Sequence, residues 1–286
     1  MEKVKVAAIL TCHNRKEKTI NCVKKLINGN PNIRFQLIVV DDGSTDGTAQ
    51  ELERIQTSIL GEEGNGMHII REDGNQYWAG GMRKGMAFAK EKIKADYCLL
   101  VNDDVDFFDC SIERMAEVCC DNIVIGVTCN EEGKFTYGGI RYKGKGIHYD
   151  SIGIDEEDKE CDTFNGNCVL IPFEIFMKAP VIDEHYVHAL GDLDYGLGIK
   201  RAGYELIAVD FYVGKCEWDC EKGTWKDTSL SRWERIKRKE NIKGAPFKQW
   251  FYYLKKNFGL KQALLHGFTP YVRILGGGVI FSKYLA

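Results

Sequence analysis

Four side chains able to grip a hard cation stand within five residues of one another in the stretch LLVNDDVDF, Leu99 to Phe107: Asn102, Asp103, Asp104 and Asp106. Carboxylates this close repel one another and would partly protonate unless something positive sat among them. A ligand set made only of oxygen selects Mg²⁺ or Mn²⁺. The same residue types also make turns and N-caps, here ahead of a helix predicted over Cys110 to Val118, so crowding alone leaves both readings open. A second acidic pair, Asp41-Asp42, opens the segment DDGSTDGT. An acid just past a strand can accept a hydrogen bond from a sugar hydroxyl or a base N–H, although Asp and Gly equally suit a plain turn. A third cluster, GDLDY, puts Asp192 and Asp194 at a helix start, where a carboxylate could take a proton or simply answer the helix dipole. The loop WAGGMRKG holds Gly80 and Gly81, which would let backbone approach a ligand, and Arg83 and Lys84, which could meet phosphate. Its Trp78 could line that loop or pack in the core.

Strands and helices in alternation must hold these clusters. Val4 to Leu10 is an apolar, β-branched run followed by TCHNRKE and a helical pattern over Thr19 to Asn28. Gln36 to Val40 repeats the form and ends in DDGSTDGT, with Ser44, Thr45 and Asp46 as candidate N-caps. Met67 to Arg71 is a third short strand, followed by a helix to about Lys94, and Tyr97 to Val101 is a fourth. Such alternation predicts βαβ units in a mainly parallel sheet. Ligands of open sheets bind outside the carboxyl ends of the strands, where the acidic and polar clusters fall. Glu131 to Glu160 reads as a hairpin or excursion. Cys168 to Ile171 is again a strand, Phe173 to Lys178 a short helix, Asp194 to Arg201 a helix and Glu205 to Val209 a strand. Charged amphipathic helices follow from Lys222 on.

Taken together, strand-TCHNR, strand-VVDDGSTDGT, the WAGGMRKG loop, strand-LLVNDDVDF and GDLDYGLGIKRAGY resemble the family 2 glycosyltransferases of the GT-A fold, over about residues 4 to 210. The resemblance implies an α/β, Rossmann-like GT-A domain over 1–220 and a basic, aromatic-rich helical extension over 221–286. It places Thr11, His13, Asn14 and Arg15 around the nucleotide, with Asp41 reading the base and Asp42 holding the turn. Trp78, Gly80, Gly81 and Arg83 would line the donor site. Asn102-Asp103-Asp104 stand at the D-x-D segment, with Asp104 as metal ligand, Asp106 as an extra acid beside it, and Asn102 and Asp103 toward the donor. Asp192 would be the general base. FNGN, Phe164 to Asn167, is similar to a segment lying under the acceptor.

The sequence departs from the family pattern at three points. Asn102 stands where many members have Asp, and Gly191 where Glu is usual. No His follows the Glu205 to Val209 strand, where the region reads GKCEWD, so a third metal ligand is unassigned, with His185 and His188 the nearest imidazoles to Asp192 in sequence. The implied reaction is metal-assisted, inverting transfer of a hexosyl or deoxyhexosyl group from a UDP-, dTDP- or GDP-sugar to a glycan or lipid-linked acceptor. Polysaccharide, cell-wall or glycolipid synthesis would be its setting. An Asp of ordinary acidity is a weak base toward an alcohol, so the proton would move late.

Composition narrows the partners. The chain has 286 residues and a net charge of −3, which implies no general attraction to nucleic acid. Between Lys222 and Lys261, however, basic residues outnumber acidic ones by about four to one. That tail could close over a diphosphate, lie against anionic lipid, or remain a solvated appendage. Eleven cysteines without zinc-site spacing suit reduced thiols in a cytoplasm, with peripheral contact at the inner face of a membrane compatible with the tail. No apolar run approaches the roughly 20 residues of a membrane span. Two rival functions remain. A sugar nucleotidyltransferase would need a glycine-rich loop where TCHNRKEK has no glycine. A non-catalytic cation- or glycan-binding module would have no use for a base at Asp192.

Overall fold

A computed structural model describes residues 3–59, 64–144, 147–218 and 220–276. Residues 277–286 of the expected extension lie outside the described residues. The first half is built from strand–helix repeats. They comprise β1 (Val4–Cys12), α1 (Lys16–Gly29), β2 (Ile33–Asp41), α2 (Thr48–Ile59), β3 (Gly66–Arg71), α3 (Tyr77–Lys92) and β4 (Tyr97–Val101). Then come β5 (Asp106–Phe107), α4 (Ser111–Cys119), β6 (Ile123–Cys129), β7 (Gly139–Tyr142), β8 (Tyr149–Ile152), β9 (Thr163–Phe164) and β10 (Cys168–Pro172). The chain closes with α5 (Phe173–Lys178), α6 (Gly191–Arg201), β11 (Leu206–Lys215), α7 (Arg232–Lys239), α8 (Phe247–His266) and α9 (Thr269–Leu275).

Eight strands form one sheet in the order β3-β2-β1-β4-β10-β6-β11-β5. β3, β2, β1 and β4 run parallel, as do β6 and β11, whereas β10 is antiparallel to both of its neighbours and β5 is antiparallel to β11. Val6 to Leu10 of β1 are fully buried, as expected of a central strand covered on both faces. α3 covers it with Ala79, Met82, Met86 and Ala89, spaced so that one helical face meets the sheet.

Register decides what meets at the rim. Cys12 pairs with Asp41, Asp41 with Arg71, and Val101 with Cys168, so the ends of β1 to β4 and the start of β10 share one edge. From β4 the chain crosses that edge to β5, whose Asp106 and Phe107 pair with Lys215 and Gly214 of β11. Residues 102–105 therefore lie across the mouth of the sheet. The predicted excursion is a small second sheet, β8-β7-β9. Two of the departures from the expected boundaries bear on the site. β11 runs on to Lys215 past a bulge between Ala208 and Tyr212, because its far end pairs with β5 and β6 rather than ending at Val209. α6 begins at Gly191, so Asp192 lies inside its first turn.

Candidate active site

Two loops are clamped together at the ends of β1 and β2. The His13 ring Nδ1 lies 2.6 Å from the Asp42 carbonyl oxygen, the Asn14 backbone N–H donates to Ser44 Oγ at 3.0 Å, and the Thr45 N–H donates to Asn14 Oδ1 at 2.7 Å. Asn14 holds a left-handed φ of 51°, which Asn tolerates better than most residues. Both acids of the Asp41-Asp42 pair are buried and each fixes a loop. Asp41 Oδ1 accepts from the Ser44 N–H at 3.0 Å. Asp42 accepts from the N–H groups of Gly74, Gln76 and Tyr77 at 2.7–3.0 Å, setting the entry to α3. Thr11 is buried beneath Gly81, with its hydroxyl donating to the Val40 carbonyl, so this pair forms the floor of the rim. Gly80 sits in the first turn of α3, its N–H donating to the carbonyl oxygen of Gln76 at 3.1 Å.

The four polar residues after β4 go to four different environments. Asn102 is held on both sides: its Oδ1 accepts from the Trp78 indole N–H at 2.6 Å, and its amide donates to Asn167 Oδ1. Asp103 is buried, accepting from Arg15 Nη1 and from the Thr19 hydroxyl, each at 2.9 Å. Burial pushes its carboxyl up to about 6 against the pull of Arg15 and Thr19. Asp104 pairs with the other arm of the same Arg15 guanidinium and lies 3.8 Å from the Cys216 thiol. Asp106 turns toward α1 and accepts from the Asn21 amide at 2.9 Å. The shared guanidinium supplies positive charge between Asp103 and Asp104.

Among the described residues no group of three His, Cys, Asp or Glu side chains is placed to hold a metal. The donors present nevertheless fit a Mg²⁺ or Mn²⁺ bound in the way Mg²⁺ favours, through one carboxylate with substrate phosphate and water completing the shell. Asp104 would be that carboxylate, with 18% of its side chain open to solvent. Neither histidine near Asp192 in sequence adds a ligand: His185 hydrogen-bonds Asp183 and stacks on Tyr252, and His188 sits edge-on to Tyr77.

The segment FNGN ties this edge to α6. Asp192 Oδ2 accepts from the Gly166 N–H at 3.0 Å and Oδ1 from the Leu193 N–H at 2.9 Å. A Cβ at Gly166 would lie 2.5 Å from Trp78 Cζ2 and 3.3 Å from Asp192 Cβ, so only glycine lets the indole and the acid close on this backbone. One line of contacts therefore runs from Asp192 through Gly166 and Trp78 to Asn102 and Asn167, and Asn167 approaches Cys216 beside Asp104. Burial raises the Asp192 carboxyl above its ordinary range, although the two backbone N–H groups act the other way. The expectation of an Asp of ordinary acidity is corrected on that ground.

The sequence profile of glycosyl transferase family 2 matches residues 7–179 of this chain. The chain belongs to this family. No curated protein matches its sequence. Among solved structures it is similar to the mannosyltransferase PcManGT from Pyrobaculum calidifontis in complex with GDP-Man and Mn²⁺. The TM-score is 0.60 and the identity 12%, over 99% of this chain and 76% of that one. It is also similar to S. aureus TarS 1-349, with TM-score 0.54 and identity 13%, over 94% of this chain and 80% of that one. At these identities the likeness is one of fold, the GT-A type.

In this family 2 glycosyltransferase the profile ends before α6, so Asp192 and the helices beyond it rest on their own geometry. Gly191 is closely packed: a Cβ there would sit 3.0 Å from Ala79 Cβ and from Ile182 Cγ2, so a Glu would require both neighbours to give way. Arg83 donates to the carbonyl oxygens of Asp183 and Tyr186 at 3.0 and 3.3 Å, bracing loop 182–186 rather than pointing at a phosphate site. Lys84 pairs with Glu72. The tail is not a solvated appendage throughout, because Tyr253 and Leu254 of α8 are buried. Lys256 bridges Asp183 and Asp194, 2.7 Å from each, and the Asn257 amide donates to Asp194 at 2.8 Å. Sequence reasoning missed Thr19, Cys216 and Lys256, and reached Asn167 only as the last residue of FNGN.

Proposed function

We propose that this glycosyltransferase moves a hexosyl or deoxyhexosyl group from a nucleoside diphosphate sugar to an acceptor hydroxyl with inversion at the anomeric carbon. The observation that carries the reading is the line of contacts joining Asp192 to Asn102 and Asp104 across Gly166, Trp78 and Asn167. It supports a base and a diphosphate site on one rim. Asp41, Thr11, His13 and Asn14 form the nucleotide side, where the described hydrogen bonds of Asp41 engage Oδ1 and leave Oδ2 for a base N–H or a ribose hydroxyl.

In the reaction the acceptor oxygen bonds to the anomeric carbon from the face opposite the diphosphate. The bond to the β-phosphate oxygen breaks with its electron pair on that oxygen, and the acceptor proton passes to Asp192. A carboxylate raised toward neutral pH is the better base for an alcohol, which supports Asp192 in that role. Arg15 offsets the charge of Asp103 and Asp104. Asp104 would hold Mg²⁺ or Mn²⁺ together with donor oxygens, which supplies positive charge to the departing diphosphate.

Residues 1–220 would carry the transfer site and 221–286 the extension that braces it through Lys256 and Asn257. Eleven cysteines outside disulfide bonds support a reducing, cytoplasmic setting. A panel of UDP-, dTDP- and GDP-sugars with Mn²⁺ and glycan or lipid-linked acceptors tests the reading. Diphosphate release from at least one donor, lost in Asp192→Asn, is the expected result. No release from any donor would leave a non-catalytic glycan-binding module.

A further inference from the structure

The second half of α8 together with α9 presents a surface unlike the other described residues. Leu260, Leu264, Leu265, Phe268, Val272 and Leu275 are each between 44% and 60% exposed, and Trp233 on the adjoining α7 is 80% exposed. α7 packs on α9, with Lys239 Nζ 5.9 Å from the Tyr271 ring centre, so the aromatic and aliphatic groups belong to one helical assembly. Residues 231–276 carry eleven Lys and Arg against two Glu, in a chain whose totals are 39 against 42. Both Glu residues are engaged internally, Glu234 in the capping box of α7 and Glu240 with Tyr271 and the Phe247 N–H. Arg232, Lys237, Arg238, Lys248 and Lys261 are exposed.

We propose that this face docks on the surface of an anionic lipid bilayer. The leucines and Phe268 enter the boundary between headgroups and acyl chains while the surrounding lysines and arginines meet lipid phosphates. Charge complementarity selects this occupant. Protein interfaces are depleted in Lys, whereas Lys237, Lys248 and Lys261 are exposed on the same helical assembly as an apolar patch dominated by leucine. An anionic bilayer offers apolar depth and negative charge in one plane. None of the described helices is long and apolar enough to cross a membrane, so the contact is peripheral. The inference stands apart from the sugar-transfer reading, because vesicle binding involves no chemistry.

Flotation of the full chain tests it, using vesicles of phosphatidylcholine alone and of equal parts phosphatidylcholine and phosphatidylglycerol. The chain should float with the anionic vesicles only, and less as salt is raised. Replacing Leu264, Leu265 and Phe268 together with Glu should abolish flotation while donor hydrolysis is kept, since none of the three touches Asp104 or Asp192. Lys237→Gln, Arg238→Gln and Lys261→Gln should each weaken partitioning about fivefold. Equal flotation with neutral and anionic vesicles, or no flotation with either, overturns the proposal. So does a triple Glu variant that still floats, or one whose only change is dissociation of a dimer in sedimentation, which would assign the face to a second copy. The lipid and salt dependence of the unaltered chain decides between these outcomes even if a variant fails to fold.

Discussion

Two clusters of carboxylates flank the same rim and are neutralised in different ways. Between Asp103 and Asp104 lies one guanidinium, Arg15, from the loop after β1. Around α6 the cation is Lys256, which comes from α8 and serves Asp183 and Asp194 at once. Asp192 stands between those two in sequence yet, among the described residues, receives the backbone N–H groups of Gly166 and Leu193 and no side-chain cation. The consequence is a divergence within a ten-residue span. Burial acts to raise Asp183, but hydrogen bonds from Lys256, His185 and Tyr252 bring its carboxyl well below the usual range. Burial raises Asp192 against the pull of backbone N–H groups, with no cation among the described residues to oppose it. Charge pairing separates the acids that hold the fold together from the acid left able to take a proton.

The largest effect should come from the acid without a cation. Asp192→Asn keeps the shape and, through its amide oxygen, one of the two backbone N–H contacts, so it should lower kcat by about two to four orders of magnitude and leave donor affinity nearly unchanged. Initial rates with calorimetric donor binding check this, and near-normal turnover would remove the contrast with Asp183 and Asp194. The acid limb of kcat/KM should lie above the ordinary carboxylate range near ~4, because the raised group must be ionised to act. Asp104→Ala should act on the other side of the rim. A loss of about tenfold or more in Mn²⁺-dependent donor affinity is expected, and unchanged binding of donor and Mn²⁺ would discard Asp104 as the metal-holding residue.

Legibility in the sequence follows the same division. The β1–β4 repeats, their loops and the candidate acids at their ends were readable, because each loop lies next to its own strand and apolar runs mark the strands. What joins the acids was not readable. Arg15 reaches Asp103 across 88 residues because β4 lies parallel beside β1, and Asn102 meets Asn167 across 65 because β10 inserts antiparallel beside β4. The pairing of Lys256 with Asp194, 62 residues apart, depends on α8 returning to pack near α6. In sequence Lys256 is one more basic residue of an amphipathic tail. The two-residue β5 escaped notice for the same reason, since its partner is the far end of β11.

Stability should show the contrast next. Lys256→Ala leaves Asp183 and the buried Asp194 without their cation, a loss of about 3 kcal/mol at neutral pH, at the low end for a broken buried pair because a third of the lysine side chain is exposed. Asp183 has a lowered folded value, so its contribution is full above the ordinary carboxylate range and fades on acidification. Denaturant titration should find the gap between the two proteins closing as pH falls below ~4. Asp103 runs the opposite way. With a folded value raised to about 6, the native state binds its proton more tightly than the unfolded chain, so this residue makes stability fall as pH rises from ~4 toward 6. Asp103→Asn should flatten that slope by on the order of 2 kcal/mol, and an unaltered slope would show that Arg15 keeps Asp103 ionised throughout.

The smallest effect should fall on the junction between the two clusters. Trp78→Phe removes the indole N–H that donates to Asn102 while keeping an aromatic ring near Gly166. Loss of one hydrogen bond costs about 1 kcal/mol, less than any change above. If the junction positions Asp192 relative to the donor, that small loss should be accompanied by a fall in kcat larger than the fall in stability, because a misplaced base loses rate steeply with distance. A variant that is slightly less stable but turns over normally would instead make Trp78 a packing residue, and the base would then be held by α6 and the Gly166 N–H alone.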